Sequence, residues 1–221
     1  MKAYPRADIG TMLDCMEQEA RARHAPIFAL ENLKTTPFRA LLFTMLSART
    51  KDSTTIPIAK RLFQKAHRPE GMLRIPLSTL EKMLYGIGFY RVKARHLHGI
   101  CQLLLSRFKG RVPDTLDELI TLPGVGRKTA NIVLNVAFGK PVIGVDTHVH
   151  RISNRLGLIR TRNPGQTEAA LNRIVPERHK IRFNKILVAY GQTVCTPISP
   201  WCSQCPLRGH YCPRIGIIRS R

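Results

Sequence analysis

The feature that most constrains this chain is helical periodicity, because its apolar residues recur at the three- and four-residue intervals typical of amphipathic helices. Alternation of the kind found in half-buried strands is confined to one weak candidate at residues 142–145. The pattern therefore predicts an all-α protein. The predicted helices span residues 7–24, 37–47, 53–66, 77–84, 91–108, 114–121, 127–138, 147–156, 167–174 and 182–192.

Local signals predict where several of these helices begin and end. Pro57 suits the first turn of its helix. Ser78, with Glu81 three residues later, has the spacing of a capping box. Asp114 is predicted to be an N-cap, and Gly139 is predicted to end the helix that begins at Arg127.

The charge balance points to a polyanionic partner. Lysine and arginine number 36 against 14 aspartates and glutamates, which gives a formal net charge of +22. A nucleic-acid backbone is the commonest partner of so basic a chain. A ribosomal or RNA-chaperone protein that only binds, or a membrane-surface protein, would share this composition.

Neither export nor membrane insertion is indicated by the sequence. The first twenty residues carry four acidic side chains and no uninterrupted apolar stretch, which argues against a signal peptide. No apolar run approaches the roughly 20 residues that a membrane helix needs. We therefore expect no membrane partner, and an intracellular, cytoplasmic or nucleoid-associated location.

The segment LPGVGRKTA, residues 122–130, predicts a tight turn between two helices. Gly124 and Gly126 permit backbone angles that are closed to other residues, and Val125 can anchor the turn in the core. The amides that open the second helix lack intrahelical partners, so they form a site for phosphate. Such a helix-hairpin-helix binds the phosphate backbone of DNA without sequence specificity. The alternative is an ordinary helix connection.

Lys128 and Asp146 are the candidate catalytic side chains. Lys128 lies in the first turn of the second helix of this hairpin, next to Arg127, where the helix dipole and the neighbouring charge disfavour an ammonium ion. An uncharged amine is a nucleophile that forms Schiff bases. Asp146 precedes a predicted helix that it would cap, and its carboxylate could stabilise positive charge developing on a nucleotide sugar.

Four of the six cysteines crowd together near the C-terminus, with the spacing Cys195-x6-Cys202-x2-Cys205-x6-Cys212. In a chain without export signals this crowding favours a metal site over disulfides. Four thiolates can hold either a [4Fe–4S] cluster or a tetrahedral zinc ion, and the spacing does not decide between them.

The run LPGVGRKTANIVLNVAFGKPVIGVDTHVHRISNRLGL closely resembles the endonuclease III family of DNA glycosylases, in the helix-hairpin-helix superfamily. The resemblance extends from about residue 28 to the cysteine cluster. It implies that Lys128 is the catalytic lysine of a bifunctional enzyme, that Asp146 is the essential aspartate, and that the cysteines hold a [4Fe–4S] cluster of structural role. The residues that it assigns to DNA binding are Leu122, Gly124, Val125, Gly126, Arg127, Arg49, Phe89 and His148.

The sequence departs from the family pattern in three places. The last gap between cysteines is six residues where five is usual, which leaves His210 as an alternative ligand. The loop between the first two cysteines reads TPISPW where the family has a basic loop. Arg49 stands where a glutamine often fills the gap left by the extruded nucleotide. Phe89 matches the wedge residue of the family, and core packing is the other interpretation of it.

The resemblance implies two α-helical domains that flank a cleft. Residues 29–140 form a helical bundle ending in the hairpin, and residues 1–28 join 141–221 in the iron–sulfur domain. The implied function is base flipping, removal of oxidised pyrimidines from double-stranded DNA with damaged bases or abasic sites, and strand cleavage by β-elimination, by a monomer. The alternatives are a mismatch-specific thymine or uracil glycosylase with weak lyase activity, and a DNA-binding module without enzymatic activity.

Overall fold

A computed structural model describes residues 8–30 and 36–221 of the chain. Over these residues the secondary structure is helical and contains no strand, which confirms the predicted all-α class. Residues 142–145, the weak strand candidate, are an irregular segment. The helices are α1 (Ile9–Ala22), α2 (Pro37–Ser47), α3 (Asp52–Lys65), α4 (Pro69–Leu73), α5 (Leu77–Met83), α6 (Tyr90–Phe108), α7 (Leu116–Leu119), α8 (Arg127–Phe138), α9 (Thr147–Arg155), α10 (Pro164–Ile174) and α11 (Glu177–Thr193), with a 3-10 helix at Pro26–Leu30.

The described residues divide into two compact units, one of residues 36–140 and the other of residues 8–30 with 141–221. In the first of these, α2 is the central helix and packs against α3, α6 and α8. Its sequence, PFRALLFTMLS, is apolar on nearly every side because it has neighbours on several sides. The helices α4 and α5 pack on α6, and α7 packs on α8.

In the other unit, α1 lies along α11, and α11 also contacts α9 and the 3-10 helix. Its core is built from the apolar faces of these helices, with Met12, Met16, Phe183 and Tyr190 at most 1% exposed. At the edge of the α1–α11 contact, Arg182 forms an ion pair of 2.6 Å with Asp14. The burial of complementary apolar faces is therefore what holds this unit together.

The 3-10 helix Pro26–Leu30 belongs wholly to the unit of residues 141–221, whereas the predicted boundary lies after residue 28. Ile27 and Phe28 pack against the core of that unit, and the Ile27 amide donates to Gln192 Oε1 at 3.3 Å. The other predicted boundary, after residue 140, coincides with the division between the units. That the units are two separate domains stays a prediction.

Two predicted N-caps are wrong. The cap of α7 is Thr115, whose hydroxyl accepts from the Glu118 amide and donates to the Glu118 carboxylate at 2.6 Å. Asp114, the predicted cap, instead pairs with Lys140 at 2.9 Å beyond the end of α8. The helix α5 begins at Leu77 with Pro76 as its N-cap, two residues earlier than a cap at Ser78 would require, and no side chain caps it.

Pro57 also differs from its prediction, because it lies inside α3 and not in its first turn. The helix begins earlier than predicted, at Asp52, so the proline occupies the sixth helical position. The short helix Pro69–Leu73 was not predicted at all, since five residues are too few to show a helical period. Along the described parts of the chain, none of the helices is both long and apolar enough to cross a bilayer.

Candidate DNA-binding and catalytic site

The hairpin between α7 and α8 is anchored by two apolar side chains. Leu122 is 2% exposed and Val125 is 6% exposed, and the Val125 amide donates to the Leu122 carbonyl at 3.1 Å. Gly124 has φ +74°, which lies in the left-handed region that favours glycine. A β-carbon at Gly124 would lie 2.3 Å from His96 Nδ1, so a larger residue here would displace the His96 ring in addition to straining the backbone.

Gly126 has a different role from the one predicted. Its backbone is extended (φ −93°, ψ 173°), a conformation open to any residue. A β-carbon there would meet nothing within 4 Å, so the surface in front of the residue is open. Gly126 is the N-cap of α8, and no side chain caps that helix. The positive end of α8 is therefore accessible to an anion from outside.

Lys128 lies on this open surface. It is the second residue of α8 and is exposed, as is its neighbour Arg127, while the next two residues, Thr129 and Ala130, are buried and fix the helix in its unit. The amine is thus placed within one helical turn of the candidate phosphate site. A nucleic-acid strand bound at that site would have this amine beside it.

Asp146 is the N-cap of α9, as predicted: its Oδ1 accepts from the Val149 amide at 2.8 Å. The side chain is half-buried, and the residues before it, Ile143 to Val145, are buried. The Asn184 amide group donates to the Gly144 carbonyl and holds this segment in place. The carboxylate therefore has a fixed orientation. Its catalytic role together with Lys128 stays a prediction.

The two histidines after Asp146 have different surroundings. His150 Nδ1 lies 2.7 Å from the Thr167 hydroxyl, which is a packing role for this side chain. His148 is half-buried, and its Nδ1 lies 3.1 Å from Nη2 of Arg151, which also donates to the Cys195 carbonyl at 2.8 Å. Burial lowers the pKa of the Arg151 guanidinium, and the nearby Cys195 partly opposes this effect by raising it. A DNA contact of His148 stays a prediction.

Phe89 and Arg49 are both exposed and lie side by side. The Phe89 side chain is 62% exposed, so the interpretation as a core residue is wrong. The Arg49 guanidinium carbon lies 5.6 Å from the centre of the Phe89 ring, within the range of a cation–π contact. An exposed aromatic ring of this kind can enter a base stack, so the geometry suits the wedge role, which stays a prediction.

The four cysteines of the C-terminal cluster line one cavity, together with Arg155, Tyr190 and Trp201. The Tyr190 hydroxyl lies 3.0 Å from Cys205 Sγ, and Arg155 Nη1 donates to Cys195 Sγ at 3.5 Å. Hydrogen bonds to sulfur and a nearby cation are what thiolate ligands require. Tyr190 and Arg155 are not evident as site residues from the sequence, because nothing in their local sequence separates them from core and surface residues.

Burial raises the pKa of Cys195, and it raises that of Cys212 to about 11. Buried thiols of this kind lose their protons when a metal compensates the charge. Among the described residues, no three cysteine, histidine, aspartate or glutamate side chains are grouped so that they could hold a metal ion. His210, the alternative ligand, is exposed and does not line the cavity.

Comparison with known proteins identifies the family. The model of the HhH-GPD superfamily of base excision DNA repair proteins matches residues 42–177. Endonuclease III of Thermotoga maritima is 45% identical over 183 residues, which are 83% of this chain and 86% of the relative. The chain belongs to the endonuclease III family. The Bacillus subtilis member is 41% identical over 178 residues, which are 80% of this chain and 81% of the relative.

Solved structures agree with this assignment. A non-covalent endonuclease III–DNA complex and a trapped endonuclease III–DNA covalent intermediate, an estranged-adenine complex, are each 37% identical to this chain. Each has a TM-score of 0.83 and covers 96% of this chain and 97% of its own. A thermostable thymine-DNA glycosylase is 26% identical, with a TM-score of 0.70, over 91% of this chain and 98% of its own. The predicted resemblance is thus confirmed.

Proposed function

We propose that this endonuclease III family member excises damaged bases from DNA and cleaves the strand at the resulting abasic site. One observation carries the proposal: an exposed lysine, Lys128, lies in the first turn of a helix whose N-terminus is open to an anion. A related endonuclease III has been trapped as a covalent intermediate with DNA. A nucleophilic amine beside a phosphate site is what such an intermediate needs.

The hairpin binds a backbone phosphate through the first amides of α8, and Gly126 leaves room for the strand to approach. The damaged nucleotide leaves the base stack, while Phe89 and Arg49 occupy the space left behind. Leu122 and Val125 hold the hairpin rigid from below, since both are buried. Arg127 and His148 supply further contacts to phosphate. These contacts position the DNA without reading its sequence.

Lys128 then attacks C1′ of the extruded nucleotide. The bond from C1′ to the base breaks, and the base leaves with the bonding electrons and takes up a proton. Asp146, held by its cap to α9, stabilises the positive charge that develops at C1′. The bound amine gives up a proton, the C1′–O4′ bond breaks as O4′ takes up a proton, and C1′ is left doubly bonded to the lysine nitrogen as a Schiff base. Loss of a C2′ proton then expels the 3′ phosphate by β-elimination.

The four cysteines of the cavity would hold a [4Fe–4S] cluster, for which the shared cavity and the sulfur-directed contacts of Tyr190 and Arg155 are the support. Such a cluster would cross-link the segment of residues 195–212 and would have a structural role, because base excision needs no redox step. Zinc bound by the same four thiolates is the other candidate. The preferred lesions are oxidised pyrimidines, and the enzyme acts as a monomer on intracellular, nucleoid-associated DNA.

Borohydride trapping tests the proposal. Incubation with an abasic or thymine glycol duplex and borohydride is expected to yield a covalent adduct that Lys128→Ala abolishes. Lys60→Ala is the matched control, since it removes an exposed lysine of α3 without touching the hairpin. Base release without an adduct would indicate a monofunctional enzyme. Salt-sensitive DNA binding without base release would indicate a binding module and overturn the enzymatic proposal.

A mismatch-specific glycosylase is the second candidate, because a thermostable thymine-DNA glycosylase is 26% identical to this chain. The two functions differ in substrate, so a panel of duplexes that each contain one lesion separates them. Fast release of thymine glycol with slow release of thymine opposite guanine supports the first function. The reverse order of rates supports the second.

A further inference from the structure

Lys93 is a buried lysine that the sequence analysis did not single out. It lies in the first turn of α6 and is 7% exposed, which is rare for a lysine. Its Nζ donates to the carbonyls of Leu46 at 2.8 Å and Ala48 at 2.6 Å, and to the Thr50 hydroxyl at 3.4 Å. The ammonium group thus satisfies carbonyl groups at the C-terminal end of α2, where a positive charge is favourable.

The same contacts join two loops that are distant in the sequence. The Thr50 hydroxyl, one of the three acceptors for Lys93, itself accepts from the Gly88 amide at 3.0 Å. A β-carbon at Gly88 would lie 3.0 Å from the Arg49 carbonyl oxygen, so the two loops are in direct backbone contact. The hydrogen bonds of Lys93 and Thr50 therefore link the loop of residues 48–50 to the loop that ends in Gly88.

Each loop carries an exposed side chain on a strained backbone next to this junction. Arg49 has φ +58° and Phe89 has φ +59°, in the left-handed region where residues other than glycine are destabilised. Arg49 lies between Ala48 and Thr50, both bonded to Lys93, and Phe89 directly follows Gly88. Strained residues of this kind persist only where the surrounding contacts hold them.

We propose that Lys93 is a positioning residue for DNA distortion, which holds Arg49 and Phe89 together so that both side chains enter the base stack as one preformed wedge. The inference deepens the proposed function, since it rests on a role of Arg49 and Phe89 in filling the gap left by the flipped nucleotide. Lys93 itself contacts no DNA, because it is buried beneath the loops. Its burial lowers its pKa to about 8.

The test measures distortion without chemistry. The duplex contains a tetrahydrofuran abasic analogue with 2-aminopurine beside it, whose fluorescence rises when the stack opens. Lys93→Met is expected to keep the wild-type affinity for undamaged duplex. Its fluorescence amplitude should fall below that of the wild type, and its single-turnover rate of base release should fall by about tenfold or more, because misplacing a positioned group by about 1 Å costs on the order of 100-fold in rate. On a thymine glycol duplex, kcat should fall while KM stays near the wild-type value.

Two further variants separate positioning from general destabilisation. Thr50→Val is nearly isosteric and removes the hydroxyl between Lys93 and Gly88, so it should reproduce the loss of amplitude even if Lys93→Met fails to fold. Lys60→Met removes an exposed lysine of the same unit and should retain the wild-type amplitude. Melting temperatures of all three variants accompany the fluorescence measurement.

The outcomes distinguish this inference from the proposed function. A wild-type amplitude in a folded Lys93→Met or Thr50→Val variant overturns the inference, as does a wild-type protein that leaves the fluorescence unchanged. If the wild type opens the duplex, both variants fail to open it, and the wild type forms no borohydride adduct, the lyase proposal fails and the positioning role stands. If the wild type forms the adduct and both variants open the duplex normally, the positioning role alone fails.

Discussion

His96 lies so close to Gly124 that a β-carbon at position 124 would be 2.3 Å from its Nδ1. The contact packs α6 against the hairpin, and Gly99 of the same helix faces Pro123 in a second close approach. The position of the candidate phosphate site is therefore set by a helix that precedes it by some 30 residues in the sequence. Substitutions on the contacting face of α6 and substitutions in the hairpin should therefore have effects on stability that are not additive.

We expect Gly124→Ala to destabilise the protein and weaken DNA binding. The left-handed backbone costs about 1–2 kcal/mol for a residue with a β-carbon, and the approach to His96 adds to it. Gly139→Ala is the matched control, since Gly139 also has positive φ but has open space around it, so it should lose only the backbone contribution. Urea unfolding and fluorescence anisotropy measure the two effects. Equal losses of stability in both variants would contradict the close contact with His96. Recovery of stability in the double variant Gly124→Ala/His96→Ala would support it.

Asp146→Asn should separate the catalytic role of Asp146 from its capping role. Asparagine is as good an N-cap as aspartate, so stability should change by less than about 0.5 kcal/mol, whereas Asp146→Ala should lose about 1 kcal/mol. Neither variant should lose DNA binding, and both should lose most of the turnover if the carboxylate stabilises charge at C1′. Single-turnover base release on a lesion duplex is the measurement. Full turnover in the asparagine variant would remove Asp146 from the mechanism.

Lys93 should make stability depend on pH in a definite direction. Burial lowers its pKa from 10.5 to about 8, so between these values the unfolded chain binds a proton that the folded protein does not. The free energy of unfolding of the wild type should therefore rise, relative to that of Lys93→Met, as the pH increases from about 8 toward 10.5. Urea unfolding of both proteins at several pH values tests this, and a difference that does not vary with pH would contradict it.

Cys202→Ser should distinguish the two metal assignments. Cys202 is the most buried of the four cysteines, at 7% exposed, so its loss should disrupt the metal site and destabilise the C-terminal segment. With a [4Fe–4S] cluster, the wild type is brown, contains about four iron atoms per chain and loses both properties in the variant. A colourless wild type that contains one zinc atom per chain would overturn the cluster assignment.

Local sequence was sufficient for much of the helical framework and for the hairpin. The bounds predicted for α8, residues 127–138, agree with the structure, because Gly126 and Gly139 flank a continuous helical period. Lys128 and Asp146 could be singled out since their proposed chemistry depends on residue type and on a place at a helix start. The cap of α7 was mispredicted because Asp114 and Thr115 are both good caps, and a pairing of Asp114 with Lys140 is invisible in local sequence.

The sequence by itself determined the class of fold, the open start of α8 and the spacing of the four cysteines, since each depends on residues close together in the chain. Only the tertiary structure decided the surroundings of Lys93. By its sequence this residue is one basic side chain among 36 and would be assigned to the surface. Its burial depends on carbonyl groups more than 40 residues earlier in the chain, and packing alone brings such distant groups within hydrogen-bonding distance.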